Sequence, residues 1–210
     1  MPESKYSTFF VTGGAGFIGS NFLRLMTARY SKSKFFNIDK LTYPGNEATL
    51  EDLQGRQNHQ FVLEDICDFD EMRQLITEGS VVVNFAAETH VDNSIGGPLD
   101  FSRTNVLGAH SLLEAAREKR AALFVQISTD EVYGSLNADS PSSTETGGVN
   151  PSSPYSASKA SAELICAAHA TTYGQPIIIT RSSNNFGPFQ FPEKVIPLFV
   201  TNLMRGIKVP

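Results

Sequence analysis

The stretch Phe9-Phe10-Val11-Thr12-Gly13-Gly14-Ala15-Gly16-Phe17-Ile18-Gly19 constrains this chain most, because an apolar run ends in a glycine turn that opens directly into a helical pattern. The glycines fit GxxGxxG at Gly13, Gly16 and Gly19, and equally GxGxxG at Gly14, Gly16 and Gly19. Phe22, Leu23, Leu25 and Met26 carry the helix on. A side chain in such a turn would keep the backbone away from a pyrophosphate, whose charge would sit at the helix N-terminus beside Phe17 and Ile18. Glycines of this kind also close strands onto helices for packing alone. The next apolar run, 34–38, ends at Asp39, about twenty residues beyond Gly19. An acid there faces the adenosine ribose hydroxyls and favours NAD over NADP by repelling a 2′-phosphate, although the adjacent Lys40 weakens that exclusion. Outside such a context an Asp after a strand is a turn or cap residue.

The chain continues in the same alternation. A third strand at 61–63 leads to Asp65, which reads either as an acceptor for the adenine amino group or as the N-cap of a helix over 68–77. The run 81–87 is almost wholly apolar, as suits a strand in the middle of a parallel sheet, and Ala86 and Ala87 leave room for a ligand at its end. His90 and Asp92 follow, and a lone His in a strand-end loop is more often a structural hydrogen-bonding group than a catalyst. A long helix is predicted over 98–119, with Pro98 at its start. A fifth strand, 123–127, delivers Ser128, Thr129, Asp130 and Glu131. After a polar loop over 139–153, Ser153 and Pro154 cap a helix over 155–173, and a sixth strand covers 177–180. The fold class that follows is α/β: a doubly wound parallel sheet of the NAD(P)-binding Rossmann type over residues 1–182. From Arg181 the character changes to a polar loop and one further helix over 193–204, read as the beginning of a smaller C-terminal substrate domain over 183–210. With no cap or polar tail at Lys208-Val209-Pro210, the end reads as a cut within a longer protein.

Composition narrows the function. A formal net charge of −5 without a basic block argues against nucleic-acid partners, and no run approaches the ~18 apolar residues of a membrane span. The N-terminus lacks the apolar core of a signal peptide, so a cytoplasmic enzyme is expected. Cys67 and Cys166 lack metal-ligand spacing and are read as unbonded structural residues, and no metal site is expected.

The chemistry concentrates in Ser128-Thr129-Asp130-Glu131-Val132-Tyr133-Gly134 together with Tyr155 and Lys159. Tyr155 and Lys159 are four apart and share a helical face. A tyrosine with a pKa of about 10 is a poor base at neutral pH, but a neighbouring ammonium and a cationic nicotinamide favour its phenolate. The pair can then take an alcohol proton as hydride leaves the same carbon. Oxidation needs only one base. Two further carboxyl groups, Asp130 and Glu131, held at different proton affinities, suit removal of water: one takes a proton next to a carbonyl while the other protonates a departing hydroxyl. The bland alternative makes Asp130-Glu131 the cap of a turn at a strand end.

The motifs GGAGFIGSNF, DKLTYPGN, NFAAETHVDNSI, TNVLGAHSLLEAA, ISTDEVYGS, SPYSASKASAE, RSSNNFGP and FPEKVIPLF resemble, in order and spacing, the extended short-chain dehydrogenase/reductases. Within them they are most similar to the dTDP-glucose 4,6-dehydratases; related sugar-nucleotide epimerases share the glycines and YxxxK but lack the Asp-Glu pair. The resemblance implies a cycle on tightly held NAD. Tyr155, aided by Lys159 and Thr129, would take the C4 hydroxyl proton, Glu131 the C5 proton, and Asp130 would protonate the C6 hydroxyl as water leaves. It further implies that Asp39, Lys40, Leu41, Thr42 and Gly45 contact the adenosine half and that Asp65 and Ile66 hold adenine. Ala86, Ala87, Thr89 and Thr104 would line the cofactor, and Asn184, Lys194, Val195 and Pro210 would touch the nucleotide sugar. Thr89 stands where the family usually has Ser, and Asn93 where Arg is usual. A homodimer through helices 98–119 and 155–173 is implied as well. A dehydratase of UDP- or CDP-glucose and a non-catalytic NAD-binding module remain the alternatives.

Overall fold

Six strands, Thr8–Thr12 (β1), Lys34–Asp39 (β2), His59–Leu63 (β3), Val81–Asn84 (β4), Leu123–Thr129 (β5) and Ile177–Ser182 (β6), form one sheet in the order β3-β2-β1-β4-β5-β6. Every adjacent pair is parallel. The computed structural model describes residues 3–42, 45–137 and 139–209. Strand order reverses between β1 and β4, so the chain leaves their carboxyl ends in opposite directions and opens a crevice there, the place where doubly wound sheets take ligands.

Alternation along the strands builds two cores. Phe10, Ile38, Val82 and Phe124 face one side and pack with Met72, Leu112, Leu113 and Cys166. Phe9, Val11, Phe35, Val81 and Val83 face the other, with Leu23, Leu50 and Leu53. The in-register pairs Phe9–Phe35 and Phe10–Phe36 stack at 4.9 and 5.0 Å on opposite faces. Each fully buried phenylalanine contributes roughly 1.5–3 kcal/mol by leaving water.

The α-helices are Phe17–Arg29 (α1), Phe69–Leu75 (α2), Val91–Gly96 (α3), Pro98–Phe101 (α4), Ala109–Glu118 (α5), Pro154–Tyr173 (α6) and Val195–Met204 (α7), the last of which buries none of its residues. Helix α6 begins where Ser153 and Pro154 predict, in a reciprocal Ser153/Ser156 capping box. Several boundaries differ from the sequence expectation. β4 stops at Asn84 rather than running to Ala87, because its partner β1 ends at Thr12 as the glycine turn leads the backbone away; the Phe85 N–H to Thr12 carbonyl bond, 3.1 Å, lies just beyond the ladder. β5 runs on to Thr129, since β6 pairs with it as far as Ser182. α7 starts at Val195. The helix expected over 98–119 contains a π-helical stretch, Ser102–Gly108, whose wider turn leaves Thr104 and Asn105 both buried. A 3₁₀ helix at Glu47–Leu53 and the short α3 were not anticipated.

Cys67 and Cys166 are free thiols. No described helix is long and apolar enough to cross a membrane, and no cluster of three or more His, Cys, Asp or Glu among the described residues could hold a metal ion.

Candidate active site

A cleft of about 470 Å³ lies over the carboxyl ends of β1, β4 and β5. Its floor is fixed by a buried polar chain across three strands. Thr12 donates to Asn84 Oδ1 at 2.6 Å, and Asn84 Nδ2 donates to Gln126 Oε1 at 2.9 Å. Thr12 Oγ1 also accepts the Ala86 N–H at 3.3 Å, which sets the loop bearing Ala86 and Ala87 against the glycine turn.

The glycines there play different parts. Gly13 has φ +68°, and a Cβ on it would stand 2.6 Å from the Ala86 nitrogen. A Cβ on Gly19 would stand 2.3 Å from the Gly13 carbonyl oxygen, and one on Gly14 2.0 Å from Asn37 Oδ1. Packing alone demands these three. Gly16 is different: its Cβ would meet only the Gly13 oxygen, at 3.3 Å, yet it lines the cleft. There the open backbone faces the ligand space.

Asp39, at the end of β2, lines the same cleft with both carboxylate oxygens engaged, by Ala15 N–H at 2.9 Å and Leu41 N–H at 2.8 Å. Burial pushes its pKa up and the two backbone donors pull against that. Lys40 turns to Asp65 (3.4 Å) and Thr104 (3.2 Å). Asp65 is not a helix cap: Asp68 caps α2, while Asp65 Oδ1 accepts the Cys67 N–H at 2.9 Å. Thr42, Gly45, Ile66, Ala87, Thr89 and Thr104 line the cleft as expected. Leu41 does not. With φ +55° its side chain joins the second core, because Asp39 holds its N–H and turns the backbone over.

Thr129 ends β5 and caps the 3₁₀ turn Asp130–Tyr133, its hydroxyl accepting the Glu131 N–H at 3.2 Å. The turn is thus capped by Thr129, leaving Asp130 and Glu131 in the cleft wall with Tyr155 and Lys159. Burial and then the Asp130 charge raise the Glu131 pKa, and Lys194 pulls it back. The Thr89 and Thr129 hydroxyls lie beside the Tyr155 phenol. Burial, then Glu131, push its pKa up, and the two hydroxyls offset part of this. The expected lowering by Lys159 is not what the geometry gives. Lys159 Nζ, buried beneath the site, donates to the Ile127 carbonyl at 2.6 Å.

Burial takes Lys159 down to about 8 from 10.5, opposed by the Glu163 carboxylate. Below pH 8 both folded and unfolded chains carry that proton, and the cost of burying the charge is fully present. Stability therefore rises as pH climbs from about 8 to 10.5, by about 3 kcal/mol from this group. The thiols of Cys67, pushed up to about 11, and Cys166, to about 12, act in the opposite sense. Denaturant titrations of the chain and of Lys159→Met across this window isolate the lysine: the variant should lack the rise, and equal pH slopes would contradict this.

Of the residues expected at the sugar nucleotide, Asn184 and Lys194 line the cleft. Val195 lies outside its wall, exposed in the first turn of α7, because the helix starts there and carries the side chain outward. Pro210 lies outside the described residues. His90, at φ +86°, approaches Glu193 at 3.8 Å, in keeping with a structural role.

Two contributors escaped sequence reading. Asn105, 2% exposed on the π-helical stretch, exchanges bonds with the Glu88 backbone (2.8 and 2.9 Å) and donates to Ser158 Oγ at 2.9 Å, bracing the strand-end loop against α6 beside Lys159. Arg181 binds the buried Glu163 carboxylate through Nε and Nη2 (3.1 and 2.6 Å) and the Tyr133 hydroxyl at 2.9 Å, tying the Asp130–Tyr133 turn to α6. The only sequence signal for Asn105 is an amide inside an apolar helical run.

Comparison with known proteins follows the same lines. Residues 10–209 match the family model for GDP-mannose 4,6 dehydratase. The chain is 47% identical over 210 residues to a dTDP-glucose 4,6-dehydratase of Streptomyces niveus, covering 95% of this chain and 60% of the relative. It superimposes with a TM-score of 0.91 and 45% identity on a double mutant of the Streptomyces venezuelae dTDP-glucose 4,6-dehydratase DesIV solved with NAD and DAU bound, covering 96% of this chain and 63% of that one. A UDP-N-acetylglucosamine 4-epimerase from Methanobrevibacter ruminantium follows at 29% identity and TM-score 0.88, with 98% and 65% covered. The chain spans about 60% of the length of the curated relatives it matches.

Proposed function

The chain belongs to the GDP-mannose 4,6 dehydratase family, and from its likeness to dTDP-glucose 4,6-dehydratases within that family we propose that it takes part in the NAD-dependent conversion of dTDP-glucose to dTDP-4-keto-6-deoxyglucose. The observation that carries the proposal is the meeting, in one cleft, of Tyr155 and Lys159 with the Asp130-Glu131 pair. An epimerase or simple dehydrogenase has no use for the second pair.

The residues present fit NAD. Gly16 leaves the backbone open at the start of α1, and Asp39 sits fixed by two N–H donors with acceptor capacity to spare for ribose hydroxyls. When bound, NAD would supply the acceptor for the C4 hydride and the donor of hydride for C6. Tyr155 takes the C4 hydroxyl proton, with Thr129 and Thr89 holding its oxygen. Glu131, its carboxylate made more basic by burial, removes the C5 proton that the C4 ketone has acidified. Asp130 gives its proton to the C6 hydroxyl, which leaves as water; Glu131 returns its proton to C5 as hydride reaches C6, and the proton taken by Tyr155 passes to solvent, from which Asp130 is reprotonated. Asn184 and Lys194 hold the sugar nucleotide, and residues 183–210 open the substrate-binding part that residues 1–182 face.

Two glycines separate binding from folding. Gly19→Ala, driven against backbone atoms, should cost about 1–3 kcal/mol and lower the melting temperature. Gly16→Ala should leave melting unchanged and weaken NADH binding; loss of stability with unaltered binding would contradict its assignment.

Exposed Leu99, Leu107, Leu164 and Tyr173 on the helical run from α4 to α5 and on α6 support a homodimer. Light scattering should give twice the chain mass, and Leu107→Glu should return a monomer; a monomeric parent chain would refute this pairing.

The reading as a whole is tested by supplying dTDP-glucose and NAD without reductant. A product lighter by one water, with no net NADH, is expected. Stoichiometric NADH would indicate a simple dehydrogenase, and turnover of UDP- or CDP-glucose alone would move the base specificity.

A further inference from the structure

The polar segment after β6 is fastened to the far side of the cleft. Asn21 of α1 donates one amide proton to the Phe17 carbonyl at 2.8 Å and reaches the Pro188 carbonyl at 2.9 Å. One turn further along, the Arg24 guanidinium lies 3.9 Å from the centroid of the Phe189 ring, a cation over an aromatic face. Phe189 has φ +67°, a conformation that a bulky residue adopts only when its surroundings hold it. The Phe17 ring lies beside Gly187, 3.7 Å from where a Cβ on that residue would stand.

Arg24 has a second set of bonds. It grips Asp52 through Nε and Nη2 (2.9 and 2.7 Å) and the Thr49 carbonyl. Thr49 in turn donates to the Ala15 carbonyl at 2.8 Å, inside the glycine turn. One side chain therefore joins the segment after β6, the helix α1 and the 3₁₀ helix Glu47–Leu53. Asn185, Phe189 and Gln190 wall the same cleft as Gly16, Phe17 and Ile18. A dinucleotide laid against the start of α1 passes between these two walls.

We propose that residues 185–190 form a strap that retains the dinucleotide through the catalytic cycle, latched to α1 by Asn21 and Arg24. This rests on the functional reading above, and it supplies what that reading requires. A redox-neutral dehydration returns the hydride it borrows, so a cofactor lost midway would strand an oxidised sugar. Slow release follows when departure requires the Phe189 ring to leave the guanidinium and the Pro188 carbonyl to leave Asn21.

The test is the release of NADH from the full chain, chased with excess NAD and read by NADH emission, which no tryptophan overlaps since the chain has none. Asn21→Leu and Phe189→Gly should each speed release about tenfold or more with association within about twofold. Glycine tolerates the positive φ, so the second variant removes the ring without straining the backbone. Phe189→Tyr keeps a ring over Arg24 and should retain slow release. Release at the parent rate in Asn21→Leu and Phe189→Gly, with NADH bound, overturns the strap alone. Failure of the parent chain to bind NADH overturns the functional reading and the strap with it.

Discussion

Glu131→Gln should stop dehydration, slowing it about 10³-fold, within the range general acid–base catalysis contributes, while cofactor binding and the first oxidation survive. The glutamine keeps the shape of the Asp130–Tyr133 turn, whose cap is the Thr129 hydroxyl on the residue 131 backbone N–H rather than anything on the side chain. Only the base is lost. In a single turnover the nicotinamide absorbance should therefore rise and persist, and no solvent deuterium should enter C5. The raised pKa of Glu131, from burial first and the Asp130 charge second, fixes the sign of the pH dependence. A base must be ionised, so dehydration should fall on acidification at a higher pH than an ordinary glutamate would give. A Glu131→Gln variant that turned over at the parent rate would remove this residue from the chemistry.

Tyr155→Phe should fail one step earlier. Its hydroxyl is the group that Thr89 and Thr129 address, while its ring packs edge-on against Phe101 at 6.2 Å. Phenylalanine keeps the packing and loses the proton acceptor. About 10³-fold or more should disappear from the oxidation itself, with neither absorbance change nor product and with NADH binding intact. The two variants are thus told apart by whether reduced cofactor forms. Burial and Glu131 both disfavour the Tyr155 phenolate, and Lys159 is committed to the Ile127 carbonyl. The Thr89 and Thr129 hydroxyls favour the phenolate only in part, and a cationic nicotinamide ring would add to them, so Tyr155 should ionise at lower pH with NAD bound than without.

Where single positions are forced by sterics, the fold was legible from the sequence. The glycine turn, Asp39 at the end of β2 and the Ser153–Pro154 start of α6 each follow from local rules that tertiary packing did not override. Strand ends were less legible because a parallel strand stops where its neighbour stops. β4 is cut at Asn84 by the departure of β1, and β5 is prolonged by β6. No pattern within residues 81–87 or 123–129 contains that information.

The candidate site divides the same way. Thr129, Asp130, Glu131, Tyr155 and Lys159 announce themselves by type and spacing, and they do meet in one cleft. What supports them does not. Asn105 joins Glu88 to Ser158, and Arg181 joins Glu163 to Tyr133, across separations that only the folded chain closes. Leu41 shows the converse: it sits between cleft residues, yet the bond from its own N–H to Asp39 turns its side chain into the core.

Hydride transfer within one substrate molecule is followed most directly with dTDP-glucose carrying deuterium at C4, incubated with the protein and NAD. An internal dehydration that borrows and returns one hydride predicts the label at C6 of the 4-keto-6-deoxy product, with little lost to free cofactor. Label found in released NADH, or kept at C4, would contradict it.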